Sequence, residues 1–174
     1  MFVHSLKIND KKCIGCMRCM KSCPTEAIRI TGGKAYIQEH RCIDCGKCHE
    51  ACPVNAIYIN QDDFEMVHQF PHSVALIPAV FLGQFPEDIR VSRIYNALED
   101  LGFRHVFEVE SAANIFALAK EHYAMENPDI RPLISSFCPA IVRLIQIKYP
   151  SLVENIMPIK APLDISAIYC LEEL

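Results

Sequence analysis

The chain carries one cysteine pattern twice, near its start. It reads Cys13-Ile-Gly-Cys16-Met-Arg-Cys19-Met-Lys-Ser-Cys23-Pro24 and then Cys42-Ile-Asp-Cys45-Gly-Lys-Cys48-His-Glu-Ala-Cys52-Pro53. These two runs hold eight of the ten cysteines in the chain. The similarity continues beyond them, since residues 54–59 match residues 25–30 position by position with a period of 29. An internal repeat of this kind predicts two half-units that bury one shared core.

Each run has the spacing C-x2-C-x2-C-x3-C-P, which is that of bacterial loops that bind [4Fe–4S] clusters. Where two such clusters occur together, the fourth cysteine of each run ligates the cluster of the other run. The pattern therefore predicts a first cluster held by Cys13, Cys16, Cys19 and Cys52, and a second held by Cys42, Cys45, Cys48 and Cys23. We expect nearby apolar side chains to keep water from both, namely Ile14, Ile28, Ile30, Ile43, Val54, Ile57 and Ile59.

Zinc and disulfides are the alternatives for these cysteines. Structural zinc sites usually pair two C-x2–4-C knuckles around each ion. They would have no use for a further cysteine before proline in both runs. No secretory leader is apparent in residues 1–10, so we expect the chain to lie in the reducing cytoplasm, where a disulfide framework is disfavoured.

Charge and hydropathy exclude several other classes of function. No apolar run reaches the roughly 18 residues that a membrane-spanning helix needs. Residues 1–60 carry nine Lys and Arg against five Asp and Glu, whereas residues 61–174 carry eight against sixteen. The basic half would suit an acidic redox partner protein through electrostatic steering, and the alternative interpretation is two solvated surfaces of different charge. Nucleic acid is excluded as a partner because basic runs interleaved with aromatic residues are missing.

The pattern changes after a polar connection over residues 61–72. Residues 74–77 form a continuous apolar run, which predicts a strand buried on both faces. Apolar residues with helical spacing come next and predict a helix that is capped by Asp88 and ends at Gly102. A second strand is expected over residues 105–109. Alternation of strands and helices predicts a parallel sheet, with chemistry at the carboxyl ends of its strands.

The same alternation continues to the end of the chain. A second helix is predicted over residues 111–123 with Ile115, Phe116, Leu118 and Ala119 inward, and a third strand over residues 132–136. Cys138 then precedes a helix that begins near Pro139, and a last helix is expected over residues 161–174. Because a three-stranded sheet would keep an open edge, we expect the chain to be the front part of a longer protein.

Residues 1–60 resemble a bacterial-type two-cluster ferredoxin. Residues 73–174 resemble the start of the catalytic domain of iron-only ([FeFe]) hydrogenases, most clearly at Ile134-Ser135-Ser136-Phe137-Cys138-Pro139-Ala140. The expected fold is thus an α+β two-cluster ferredoxin-like domain (1–60), a linker (61–72) and a partial α/β domain with a parallel sheet (73–174). A ferredoxin unit ahead of such a domain is an arrangement found in that family.

The resemblance implies a role for Cys138 in a third cofactor. In that family a [4Fe–4S] cube joined to a two-iron unit is held by four cysteines from three motifs. The sequence supplies the first motif only, so Cys138 is the single candidate ligand and no catalytic residue is assigned. We expect the chain to be inactive alone and to relay low-potential electrons to or from the missing hydrogenase-like portion, for H2 oxidation, evolution or sensing.

Phe137 departs from the family pattern. It stands where the catalytic enzymes usually carry a proton-relaying cysteine, and phenylalanine has no titratable group. This favours a sensory or regulatory branch, and the alternative function is a regulatory or iron–sulfur assembly protein with redox-sensing clusters. Cys170 fits no ligand motif and is interpreted as a core residue, and His49 as a surface residue.

Overall fold

The structure is a computed structural model that describes residues 4–173. The outer limits of the two predicted domains, residue 1 and Leu174, therefore lie outside the described residues. The chain divides into two compact units. One comprises Met1–Asp62 with Pro139–Glu154, and the other Asp63–Cys138 with Asn155–Leu174. The segment Pro139–Glu154, which the sequence analysis places in the second domain, thus groups with the cysteine-rich unit.

The cysteine-rich unit contains two antiparallel strand pairs. Strand β1 (Leu6–Ile8) pairs with β4 (Ile57–Ile59), and β2 (Ile28–Thr31) pairs with β3 (Lys34–Ile37). Each half of the repeat also contributes one short helix, α1 (Arg18–Ser22) and α2 (Lys47–Glu50), inside its cysteine run. The first and last strands of the unit are partners, so the two halves close on each other as the repeat predicts.

The core of this unit combines aliphatic side chains with cysteines. Leu6, Ile28, Ala35, Ala56 and Ile57 are buried together with Cys13, Cys19 and Cys48. One of the predicted shielding residues is wrong, because Ile59 is 55% exposed and lines neither cysteine cavity, whereas Ile14 lines the first cavity although it is 64% exposed. Ile14 lies in the tight loop between two cysteines, and Ile59 is at the outer end of β4.

The backbone repeats as closely as the sequence does. Left-handed residues occur in pairs that are 29 positions apart: Gly15 with Asp44, Met17 with Gly46, and Glu26 with Asn55. Non-glycine residues pay a steric cost in this conformation. Its recurrence at the same positions shows that both cysteine loops need the same bends, whichever side chain stands there.

The second unit is built on a two-stranded parallel sheet. Strand β5 (Val74–Ile77) pairs with β6 (His105–Glu108), with Val74 opposite His105 and Ile77 opposite Glu108. Two helices lie between these strands in the chain, α3 (Ala79–Leu82) and α4 (Val91–Asp100). Two further helices of this unit follow β6 in the chain, α5 (Glu110–Glu126) and α7 (Pro162–Glu173). Helix α6 (Pro139–Lys148) lies between them in the sequence and belongs to the cysteine-rich unit. The predicted parallel sheet is confirmed.

The predicted third strand is wrong. In residues 132–136 only Ile134 makes a β-bridge, and its partner is Ile156 rather than β5 or β6. Ile134 donates its amide to the Asn155 carbonyl at 2.8 Å, and the Met157 amide donates back to Ile134 at 2.9 Å. Pro132 has no amide to donate. The short segment is thus satisfied by the chain that follows α6.

Two details of the predicted helices also differ. Helix α4 begins at Val91 after Arg90 without a side-chain cap, so Asp88 is not its cap, whereas Gly102 ends it in the left-handed conformation as expected. In α5 the buried residues are Ala112 and Phe116, while Ile115 and Leu118 are exposed. Within residues 4–173, no helix combines the length and apolarity needed to cross a bilayer.

Candidate metal centres

The first cavity of the cysteine-rich unit is lined by sulfurs from both runs. It holds about 340 Å³ of space between atoms, part of it open to solvent. Its cysteines are Cys13, Cys16, Cys19 and Cys52. Apolar side chains complete the lining, among them Ile8, Ile30, Val54 and Ile57. The structure therefore brings together the four cysteines that the spacing assigns to the first cluster.

A second cavity is lined by the other four cysteines of the two runs. It holds about 320 Å³ and is lined by Cys42, Cys45, Cys48 and Cys23. Ile28, Ile37 and Ile43 supply its apolar walls. Each cavity thus takes three cysteines from one run and the fourth from the other, because the two halves of the repeat close on each other.

The cysteines differ in exposure according to their place in the run. The first and third of each run are buried, the second is exposed, and the fourth is half-buried. Cys16 and Cys45 are therefore the points at which each site meets solvent. The agreement between the two runs follows from their shared backbone bends.

Backbone amides point at several of these sulfurs. The Ala27 amide donates to Cys23 Sγ at 3.2 Å, and the Ala56 amide donates to Cys52 Sγ at the same distance. The Ala35 amide donates to Cys13 Sγ at 3.4 Å. Amide donors favour the thiolate, which is the form that binds metal.

Burial and hydrogen bonding set the ionisation of the thiols. Burial raises the pKa of Cys48 to about 12 and that of Cys42 to about 11, and it also raises the pKa of Cys19. Burial opposes ionisation of Cys52 too, but amides of residues 54–57 outweigh it, so the pKa of Cys52 is lowered. Buried thiolates of this kind need a cationic group between them.

The distances between the cysteine sulfur atoms distinguish a cluster site from a site for a single zinc ion. Zinc with four thiolates at about 2.3 Å would place the sulfurs about 3.8 Å apart. Among residues 4–173, the group that brings three ligand atoms within 4.8 Å of one another is His4, Cys42 and Asp44, and not three cysteines of either cavity. The four-thiol cavities are therefore wider than zinc requires, and their donors fit a [4Fe–4S] cube.

His4 and Asp44 are site residues that the sequence analysis missed. Asp44 Oδ1 lies 3.5 Å from Cys42 Sγ, and its Oδ2 accepts the Ser5 amide at 2.9 Å. His4 is 4% exposed, with Nε2 3.2 Å from Glu39 Oε1. Aligning the two runs gives a signal for Asp44, because glycine stands at the matching position 15.

The segment around Cys138 lies outside both cysteine cavities. Cys138 is exposed, and Phe137 beside it is 53% exposed and packs edge-to-face on Phe116 with ring centroids 5.4 Å apart. Ser136 donates its hydroxyl to the Ile159 carbonyl at 2.6 Å. Cys170 is buried in α7, and His49 is exposed, as the sequence analysis expects.

Both parts of the chain match known domains. Residues 5–53 match the model of a 4Fe-4S dicluster domain, and residues 71–172 match that of the iron only hydrogenase large subunit, C-terminal domain. The fold and cysteine sites are thus those of an iron–sulfur protein in which a dicluster domain precedes a hydrogenase-related domain. The second match covers more than half of the residues, and the chain belongs to the iron-only hydrogenase large-subunit family. The family predicted from the sequence is confirmed.

One curated relative is iron hydrogenase 1 of Clostridium pasteurianum. It is 30% identical over 103 residues, which are 58% of this chain and 18% of the relative. The chain thus spans about a fifth of the length of that protein.

Proposed function

We propose that the cysteine-rich unit binds two [4Fe–4S] clusters and relays low-potential electrons to or from a hydrogenase-like domain. The observation that carries this proposal is the pair of cavities, each with three cysteines of one run and the fourth of the other. When bound, such clusters supply one-electron transfer at potentials that burial, charge and hydrogen bonds to sulfur adjust. Amides from residues 27, 35 and 56 provide hydrogen bonds of this type.

The proposed domain organisation assigns residues 1–60 to the two-cluster unit, 61–72 to a linker and 73–174 to the front of the hydrogenase-like domain. Within that last part, Cys138 is proposed as a ligand of a third, active-site cluster in a longer form of the protein. Its exposed position leaves the sulfur accessible to such a group. The H2 chemistry, whether oxidation, evolution or sensing, belongs to that longer form.

The proposed electron partner is an acidic protein that docks on the cysteine-rich unit. Residues 1–60 carry nine cationic and five anionic side chains, and the exposed cysteines Cys16 and Cys45 mark where each cluster approaches solvent. Electrostatic steering of this kind weakens as salt screens the charges. The rate of electron exchange with an acidic ferredoxin or flavodoxin should therefore fall as ionic strength rises.

Metal analysis after anaerobic reconstitution tests the cluster assignment directly. Two cubes should give about eight irons and eight sulfides per chain, with a paramagnetic signal on reduction. About four irons per chain, or zinc in their place, would contradict the proposal. A chain with all cysteines of one run replaced by serine is the matched control and should lose both clusters, because each cluster takes a ligand from each run.

A regulatory or iron–sulfur assembly role is the second candidate, and Phe137 favours it. Its ring packs on Phe116 and offers no group that can carry a proton to Cys138 or its surroundings. Replacing Phe137 by cysteine in the longer protein should leave H2 turnover unaltered if the role is regulatory. A large gain in turnover would instead indicate a hydrogenase in which the proton relay has been lost.

A further inference from the structure

The two proposed cluster sites share their backbone but not their charges. At the position where the first run has Gly15, the second has Asp44, and both residues are left-handed. The Asp44 carboxylate oxygen Oδ1 lies 3.5 Å from the sulfur of Cys42. A negative group thus stands beside a ligand of the second site at a place where the first site has no side chain.

The Asp44 carboxylate is electrostatically less favourable when a cluster is bound at the second site than when the Cys42 thiol is free. In the free chain the Cys42 thiol can donate its proton to Asp44. As a metal-bound thiolate Cys42 has no proton, so the contact becomes one between two anions. Burial is the largest cause of the raised pKa of Cys42; the Asp44 backbone amide lowers that pKa, whereas the Asp44 carboxylate raises it through its charge and its hydrogen bond. The Ser5 amide, which donates to the other carboxylate oxygen at 2.9 Å, holds the carboxylate in place.

A cation contacts the backbone of a ligand residue at the first site. Lys34 donates from Nζ to the Cys13 carbonyl at 2.6 Å, while the next residue, Ala35, donates its amide to Cys13 Sγ. Residue 63, at the matching position one repeat later, is an aspartate outside the matched dicluster domain. The runs carry cations as well. Arg18 of the first run corresponds to Lys47 of the second, but only Lys47 lines a cluster cavity, where it offsets part of the Asp44 charge. Lys21 of the first run corresponds to Glu50 of the second, which adds to the difference in charge.

We infer that Asp44 and Lys34 make the two sites unequal, so that the cluster of Cys13, Cys16, Cys19 and Cys52 is the easier one to reduce. This inference rests on the proposed two-cluster function. Reduction adds one negative charge to a site, which Asp44 disfavours at the second site and Lys34 favours at the first. An electron given to the unit should therefore reside mainly at the first site.

His4 is the neighbouring group that needs a control. It is buried, one of its ring nitrogens lies within 4.8 Å of the Cys42 sulfur and an Asp44 oxygen, and Nε2 faces Glu39. Glu39 is in turn 3.9 Å from Lys7. A charged imidazole would offset part of the Asp44 charge. The Asp44 effect must therefore be measured both with His4 and in the H4Q background, where no ionisable group remains at that position.

A redox titration of the reconstituted chain, followed by electron paramagnetic resonance, tests the inference. The wild-type chain should show two midpoint potentials. One of the two paramagnetic signals should account for most of the first electron taken up. Asp44→Asn should raise the lower midpoint and leave the upper one in place, with or without H4Q. Lys34→Gln should lower the upper midpoint alone. A tenfold change in the reduction equilibrium corresponds to about 59 mV for a one-electron couple.

The variants are matched to the local backbone. Asparagine tolerates the left-handed conformation of residue 44 and can still accept the Ser5 amide, so D44N removes charge with little strain. Asp129→Asn removes the same charge from an exposed residue outside the cysteine runs and should move neither midpoint.

The outcomes separate the inference from the proposed function. Fewer than two clusters per chain, by iron analysis, overturn both. Two clusters with a single midpoint, or a D44N chain whose lower midpoint does not move, overturn the inference and leave the two-cluster function standing. A D44N shift of the upper midpoint also overturns it, because the carboxylate would then act on the wrong site.

Discussion

Cys52 lines the same cavity as Cys13, although 39 residues separate them in the sequence. Cys23 stands in the same relation to the cavity of Cys42. Each cavity takes its fourth cysteine from the other run because the two halves of the repeat close on each other. The first strand, β1, pairs with the last, β4, so that both cysteine runs lie between paired strands in the sequence. Neither proposed cluster can therefore form from one half of the repeat alone.

Double replacement of cysteines distinguishes crossed ligation from ligation within one run. Cys23→Ser and Cys45→Ser affect the same cavity, so the double variant should lose one cluster and keep about four irons. Cys52→Ser with Cys45→Ser affects both cavities and should lose nearly all iron. Iron analysis after anaerobic reconstitution measures this. If the second pair kept one intact cluster, each run would be ligating its own.

Gly15 should be among the least replaceable residues of the cysteine-rich unit. Its φ is +67°, and a Cβ there would lie 2.3 Å from the Gly33 carbonyl oxygen. Gly15→Ala should destabilise the unit by more than the 1–3 kcal/mol or so that a left-handed residue costs by itself. Thermal unfolding of the reconstituted chain gives the measurement.

Gly32 provides the matched control for that substitution. Its φ is +57°, but nothing lies within 4 Å of a Cβ built there. Gly32→Ala should therefore show the conformational cost alone, about 1–3 kcal/mol. Equal losses of stability in the two variants would show that the close approach of Gly15 to Gly33 does not contribute to the effect.

The two rings of the Phe116–Phe137 pair should differ in their contribution to stability. Phe116 is 5% exposed in α5, and its replacement by alanine should cost about 3–5 kcal/mol through the cavity that remains. Phe137 is 53% exposed, and its replacement should cost about 0.5–1.5 kcal/mol, mostly the edge-to-face contact. Unfolding of both single variants and the double variant yields the coupling, and a coupling near zero would contradict the pairing.

Much of the cysteine-rich unit could be predicted from the sequence, because its constraints are local and repeated. The spacing gives the ligand sets that the two cavities bring together, and the period of 29 positions anticipates the matched left-handed residues. The exposure of Ile14 could not be anticipated, since hydrophobicity does not show which side of a tight loop a side chain takes. The sequence does not single out His4, because its neighbours Glu39, Cys42 and Asp44 are distant in the sequence.

The second unit was predictable as alternating strands and helices, but not in its pairing. Residues 132–136 have strand-like composition, yet whether they pair with the sheet or with Ile156 depends on where the chain returns after α6. The inward face of α5 differs from the prediction for a similar reason. Ile115 and Leu118 are apolar but exposed, so the sequence pattern does not reveal which apolar stripe is covered within this chain.

Tyr95 should link the stability of the second unit to alkaline pH. Burial raises its pKa to about 12, and the hydrogen bond that its hydroxyl donates to the Glu108 carboxylate, with the charges of Glu108 and Glu110, adds to the shift. Because the pKa is higher in the folded than in the unfolded state, the stabilisation is complete below about pH 10 and lost as pH rises through about 12. Tyr95→Phe should therefore unfold at a lower denaturant concentration than wild type at pH 8, and the difference should vanish near pH 12. Tyr149→Phe, at an exposed tyrosine, is the control, and a Tyr95→Phe difference that does not change with pH would show that the hydroxyl acts through packing alone.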